Sequence, residues 1–289
     1  MSGSKGMAGR TVAITGPTSG VGRATALALA GQGARLLLLC RNADKGATVA
    51  AEVQARGGEA EVVLADLTSL AAVDQAAAAV RTLAPQLDVL INNAGVFLAR
   101  RSVTRDGLEQ MFAVNHLAHF LLTRRLLASL SAAPAGRIVH VSSGAHAFVR
   151  GFDSEDYNWT RRRFRMFPAY GASKLANLLF NLSLAQRLAG TRVTSNALHP
   201  GAVATGLGKQ DGALANLIPW LMKPFFRTPE QGARTSIYLA ANPAAAQSQG
   251  QYFVDCEPRQ PRPWALDREA AERLWSLSER LLAERGCSV

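Results

Sequence analysis

Cysteine is scarce in this chain: Cys40, Cys256 and Cys287 are the only three in 289 residues. They form neither a CxxC pair nor an even framework, which excludes a disulfide scaffold and reads as reduced thiols in a cytoplasmic protein. No apolar run reaches the roughly 18 residues that cross a bilayer, so no transmembrane segment is expected. The opening, Met1 to Arg10, is small and polar and shows no apolar stretch of a signal peptide. Aromatic residues are only 7% and do not alternate with the arginines, so a net charge of +11 lacks the stacking platform of a nucleic-acid groove. One basic cluster, Arg161, Arg162, Arg163 and Arg165, ends a segment that begins acidic at Asp153, and a solvated loop is expected there. His116, His119 and His199 have no Cys or carboxylate at ligand spacing, and no metal is expected.

What is present is a repeat of strand, glycine turn and helix. Thr11 to Thr15 is a β-branched run that meets Gly16, Gly20 and Gly22, then an Ala/Leu helix closed by Gly31 and Gly33. Arg35 to Cys40 carries four consecutive leucines, as a strand buried on both faces would. Further strands are expected at Glu61 to Ala65, Leu87 to Ile91, Arg137 to Val141 and Arg192 to Leu198, with a long helix over Leu108 to Ser131. Alternation of this kind predicts an α/β chain: a single-domain Rossmann fold, with a doubly wound parallel sheet of about seven strands and helices on both faces. Within 1–289 the expectation is a flexible start over 1–9, an insertion over 144–168, a substrate lid over 206–227 and a C-terminal helix over 265–286. The apolar helices around Leu117 to Leu130 and Leu175 to Leu188 offer more apolar face than one sheet layer needs, which predicts a homodimer or homotetramer.

Every polar motif falls just after a strand, where ligands bind in such folds. The first is Thr15-Gly16-Pro17-Thr18-Ser19-Gly20-Val21-Gly22. Its glycines permit a tight turn and close approach of backbone to a pyrophosphate, and the helix that follows presents N–H groups. At the end of the second strand an acid would accept from a ribose 2′-OH; here Cys40 and Arg41 stand instead, a pairing that suits the 2′-phosphate of NADP. Asp66, beside Leu67, could accept from an adenine amino group or cap the next helix. Asn92-Asn93-Ala94-Gly95 supplies small and amide residues where a cofactor must pass closely. Either serine of Ser142-Ser143 could hold a carbonyl oxygen or merely cap a strand end. Asn115 is a poor helix former inside an apolar helix, serving a purpose or lying as a satisfied core amide. Tyr170 and Lys174 share a helix face, where an ammonium would favour ionisation of the phenol and make it a proton donor and acceptor.

Taken in order, TGPTSGVG, NNAG, the helical Asn115, SS, YGASK and HPG resemble the short-chain dehydrogenase/reductase family over essentially the whole chain. Within it the chain is similar to the retinol dehydrogenase-like group, including the oxidoreductase domain of the WW-domain oxidoreductase, through LLCRN, FAVNHLAHFLLT, GQYFVDC and RLWSLSERLL. The resemblance implies that Ser143 polarises a substrate carbonyl, that Tyr170 is the acid/base, and that Asn115 holds a water of the proton relay. Lys174 would bind the nicotinamide ribose and lower the Tyr170 pKa. Asn93 would lie beside the cofactor, Asp66 and Leu67 by adenine, and the segment containing Pro200, Gly201, Val203 and Thr205 by the nicotinamide amide. The activity so implied is NADP(H)-dependent interconversion of a small hydrophobic carbonyl and its alcohol. A non-enzymatic NADP sensor would need the glycine loop but not the proton relay.

Overall fold

The computed structural model describes residues 6–203 and 227–289. Eight strands form one sheet in the order β3-β2-β1-β4-β5-β6-β7-β8. They are β1 (Thr11–Thr15), β2 (Arg35–Cys40), β3 (Glu59–Leu64), β4 (Val89–Asn92), β5 (Arg137–Val141), β6 (Thr194–His199), β7 (Tyr252–Val254) and β8 (Glu257–Arg259). All pairs are parallel except β7 with β8. The leucine run of β2 serves both layers: Leu37 and Leu39 enter one core, Leu36 and Leu38 the other. One face is covered by α1 (Gly20–Gly31), α2 (Ala43–Gln54) and α7 (Pro229–Ala241). On the other lie α3 (Leu70–Leu83), α5 (Ala118–Ala132), α6 (Met166–Arg187) and α8 (Arg268–Ala283).

The single α/β doubly wound domain matches the expectation, with an eighth strand added. β8 pairs antiparallel with β7 through the two-residue turn Asp255-Cys256, both residues at positive φ (54° and 65°). Such a turn is usually signalled by Asx-Gly, and Cys256 in the glycine place hides it. The long helix after β4 is not uniform. A short turn α4 (Gln110–Phe112) leads into a π turn over Ala113–Leu117 before α5 begins. Asn115 sits in that π turn, a helix defect that often marks a site.

Two expectations are corrected. Residues 6–9 are not a loose start: Met7 is buried in the core and its N–H donates to the Gln32 carbonyl at 3.0 Å. The insertion ends at Arg165, because Met166 already opens α6. The four arginines of its basic cluster are exposed, as expected, above a loop that is held from within. Asp156, buried, accepts from the N–H groups of Thr160 (2.7 Å), Arg161 (3.0 Å) and Arg162 (3.2 Å), and the Arg162 guanidinium lies 3.9 Å from the centre of the Trp159 ring. α8 packs on the apolar faces of α5 and α6, where its Trp275 ring meets Phe120 at 4.9 Å and Phe180 at 5.9 Å. Of the expected lid, only Arg227 is among the described residues; it pairs with Asp255 and bridges to Val203. The remaining lid positions and Thr205 lie outside them.

Candidate active site

The strand order reverses direction between β1 and β4, and a cleft of about 370 Å³ opens at the carboxyl ends of the strands there. Its floor is the glycine turn. Gly22 has no room for a side chain: a Cβ would stand 2.2 Å from the Gly16 carbonyl oxygen and 2.4 Å from Asn93 Nδ2. Asn93 Nδ2 donates to the carbonyls of Thr15 (2.8 Å) and Gly16 (3.2 Å), joining the first turn to the fourth. Thr18, Ser19, Gly20 and Val21 line the cleft above this turn. Ser19 is the N-cap of α1 but makes no side-chain cap, and the first turn holds no acid, so the positive end of α1 faces the cleft.

Farther along the wall stand Cys40, Arg41, Asp66 and Leu67. Cys40 is buried and turns its thiol to the Asn42 carbonyl at 3.4 Å. Arg41 is exposed on the rim, with no carboxylate paired to it among the described residues. Asp66 is not a helix cap: Ser69 fills that role, and one Asp66 oxygen accepts from Thr68 N–H at 3.0 Å and Thr68 Oγ1 at 2.8 Å. Pro200, Gly201 and Val203 close the far end, and Ala94 and Gly95 lie between.

The reactive end gathers Ser143, Tyr170, Lys174 and Asn115. The two serines separate cleanly. Ser142 is buried and donates to the Lys174 carbonyl at 2.8 Å, whereas Ser143 lines the cleft together with Tyr170. Lys174 is buried and its Nζ donates to the Val141 carbonyl at 2.9 Å. A Cβ on Gly95 would lie 3.3 Å from that Nζ and 3.4 Å from Asn115 Oδ1, so glycine lets the three meet. Asn115 acts as a clamp. Its Oδ1 accepts from Val96 N–H at 2.7 Å, while Nδ2 donates to the Val96 carbonyl at 3.0 Å and to Ser173 Oγ at 2.9 Å. Ser173 Oγ in turn donates to the Tyr170 carbonyl at 2.8 Å. Both amide hydrogens are thus used in holding the site together.

The electrostatics depart from the simple pairing of Tyr170 with Lys174. Burial pushes the phenol up to about 12, and the neighbouring Ser143 hydroxyl only moderates that. Burial also brings the Lys174 ammonium down to about 8. Nζ stands 5.8 Å from the Tyr170 ring centre. At neutral pH Tyr170 is therefore a protonated donor. The edge of Phe97 packs on its ring at 4.9 Å, and Val96 and Val114 extend the apolar wall.

A family model described as short chain dehydrogenase matches residues 10–214. The chain belongs to the short-chain dehydrogenase/reductase family. Retinol dehydrogenase 14 of Mus musculus is 43% identical over 94% of this chain and 86% of its own length. Retinol dehydrogenase 13 of Homo sapiens is 40% identical, covering 97% of this chain and 87% of that one. Among solved structures, an uncharacterized protein from Mycobacterium paratuberculosis superposes with a TM-score of 0.77 at 35% identity, over 96% of this chain and 94% of that one. An NADP active-site complex of Pseudomonas aeruginosa RhlG gives 0.70 at 26% identity, over 88% and 97%. This short-chain dehydrogenase/reductase is an alcohol/carbonyl oxidoreductase of the retinol dehydrogenase-like group that uses a nicotinamide cofactor. The cleft fits that group: a cradle without side chains at Gly22, an open positive helix end and a buried lysine at the reactive end.

Proposed function

We propose that the enzyme interconverts a hydrophobic ketone or aldehyde and its alcohol with NADP(H), and that reduction is the favoured direction. The observation that carries this is the meeting of Ser143, Tyr170 and the buried Lys174 on one wall of the dinucleotide cleft, beside an apolar wall. When bound, the nicotinamide supplies or accepts the hydride. Ser143 holds the substrate oxygen, and Tyr170 delivers its proton to that oxygen. Lys174 holds the nicotinamide ribose and supports the phenolate left behind; Asn115 keeps the Val96 turn and the Tyr170 helix at fixed spacing.

Reduction is supported by the phenol's holding its proton to about 12, which keeps it a donor at neutral pH. NADP is supported by the end of β2, where no carboxylate is present to meet a ribose 2′-OH and the Arg41 guanidinium is free to meet a 2′-phosphate. A hydrophobic substrate is supported by Val96, Phe97 and Val114. The relatives named retinol dehydrogenase are consistent with a hydrophobic alcohol. Free cysteines at three separate places support a cytoplasmic setting, and among the described residues no helix is long and apolar enough to cross a membrane.

The test is a screen of hydrophobic aldehydes and ketones followed by nicotinamide absorbance, with NADPH and NADH titrated in parallel. NADPH should bind more tightly by about 1–3 kcal/mol, the worth of one charge-assisted contact, and Arg41→Ala should erase the difference. Failure to reduce any carbonyl with either cofactor overturns the reading; equal affinities overturn only its NADP part.

A further inference from the structure

His119 lies beneath the cleft on α5, buried, and takes no part in the proton transfer described above. Its ring joins two parts of the site. Nδ1 stands 3.2 Å from the Asn115 carbonyl oxygen and Nε2 stands 3.0 Å from Thr15 Oγ1. A carbonyl can only accept, so Nδ1 carries the hydrogen. Burial and the nearby Lys174 ammonium hold the ring neutral, so Nε2 is left as an acceptor. The single hydroxyl hydrogen of Thr15 must then point to Nε2 rather than to the Ile91 carbonyl, which is farther away at 3.4 Å. The oxygen of that hydroxyl is thereby free to accept, and it does so from Asn93 N–H at 3.0 Å and Ala94 N–H at 2.9 Å.

The directions form one consistent chain. The Asn93 and Ala94 amides donate to Thr15, Thr15 donates to His119, and His119 donates to the carbonyl of Asn115 in the π turn. We infer that His119 is a positioning residue: its Nδ1–H ring orients the Thr15 hydroxyl and so holds the Asn93–Gly95 turn as the floor on which the cofactor rests. The same ring ties that floor to Asn115, whose side chain clamps Val96 and Ser173. Without an acceptor at Nε2, the hydroxyl could rotate to Ile91, and nothing would fix the direction of its lone pairs toward the two amides. The inference rests on the reading of this turn as part of the nicotinamide cofactor site.

Long-range nitrogen–proton NMR correlation on the labelled wild-type protein reads the tautomer without any substitution. A protonated Nδ1 and an unprotonated Nε2 at neutral pH are expected for His119; the opposite tautomer, or an imidazolium, overturns the chain. The functional arm uses NADPH titration. His119→Leu should weaken NADPH binding about tenfold, the worth of roughly one hydrogen bond, whereas His119→Gln, whose Oε1 can accept from Thr15, should stay within about threefold of the parent. Thr15→Val combined with His119→Leu should be no worse than the more damaging single change, because both act through one proton. Unchanged affinity in His119→Leu, or a glutamine variant as damaged as the leucine one, overturns the positioning role. If the leucine variant does not fold, the wild-type tautomer still decides. If the wild-type protein binds neither NADPH nor NADH, it is the cofactor reading that fails, and the tautomer continues to report on the chain.

Discussion

At the scale of single residues, the site is governed by how burial acts on two ionisable groups. Tyr170 is held as a protonated phenol, so Tyr170→Phe removes the donor while leaving the ring that packs on Phe97. Turnover of any reducible carbonyl should fall about 10²-fold or more, with NADPH affinity little changed. A variant that reduces substrate at the parent rate would place the proton donor elsewhere. Lys174 loses its charge through about pH 8 instead of the usual range above 10, because Nζ is buried against the Val141 carbonyl. Above that pH no cation remains near the phenolate formed during reduction. The rate of reduction should therefore decline as pH rises through about 8, while alcohol oxidation, which needs the Tyr170 phenolate to accept the alcohol proton, gains as the phenol deprotonates at higher pH. A reduction profile that stays flat into the alkaline range would separate Lys174 from the chemistry.

At the scale of elements, the segment between β5 and α6 shows how a short polar stretch becomes rigid. Asp156 organises it by accepting from three successive backbone N–H groups and from Thr160 Oγ1 at 3.3 Å, and Arg162 is stacked on Trp159. Trp159 itself packs with Leu98 and Met111 beneath the apolar wall of the site. Asp156→Ala leaves those amides without an acceptor and should cost about 1–3 kcal/mol, read as a lower urea midpoint with altered Trp fluorescence. An unchanged midpoint would mean that water replaces the carboxylate. The charge run of Arg161 to Arg165 gave no hint of this, since the signal is one buried aspartate whose acceptors are used locally. The π turn was equally hidden: a sequence shows that Asn115 is a poor helix former, but not that the helix widens there.

At the scale of the whole molecule, the C-terminal part of the chain covers surfaces that would otherwise invite a partner. β8 pairs with β7 at one end of the sheet. On the helical face, α8 buries Leu274, Trp275, Leu281 and Leu282 against α5 and α6. Trp275 is flanked by the guanidinium groups of Arg187 at 3.9 Å and Arg124 at 5.0 Å. α8 thus covers, within the chain, apolar surface of α5 and α6 that suggested pairing, and light scattering at micromolar concentration reads whether the expected homodimer or homotetramer forms through another face. Trp275→Ala should destabilise by about 3–5 kcal/mol and promote association through the face it uncovers. A stable dimer of the parent protein would show that another surface does the pairing.

The sequence by itself determined the layered α/β fold, because continuous apolar strand runs alternating with glycine-terminated helices depend on local chemistry alone. It also marked the glycine cradle and the turn after β4, since each sits where its strand must end, and it carried the motifs that contain Asn115, Ser143, Tyr170 and Lys174. It left open which serine faces the cleft, and only packing decided: Ser142 is drawn inward to the Lys174 carbonyl, and Ser143 remains in the cleft. It suggested a lowered Tyr170 pKa, whereas burial, which no local pattern reveals, raises the phenol to about 12. His119 carried no visible signal at all, because its value lies in two hydrogen bonds, one of which joins residues 104 positions apart. Local pattern fixes which elements form and where they end. The direction of a proton, the cost of burying a charge and the partner of an apolar face depend on what folding brings alongside.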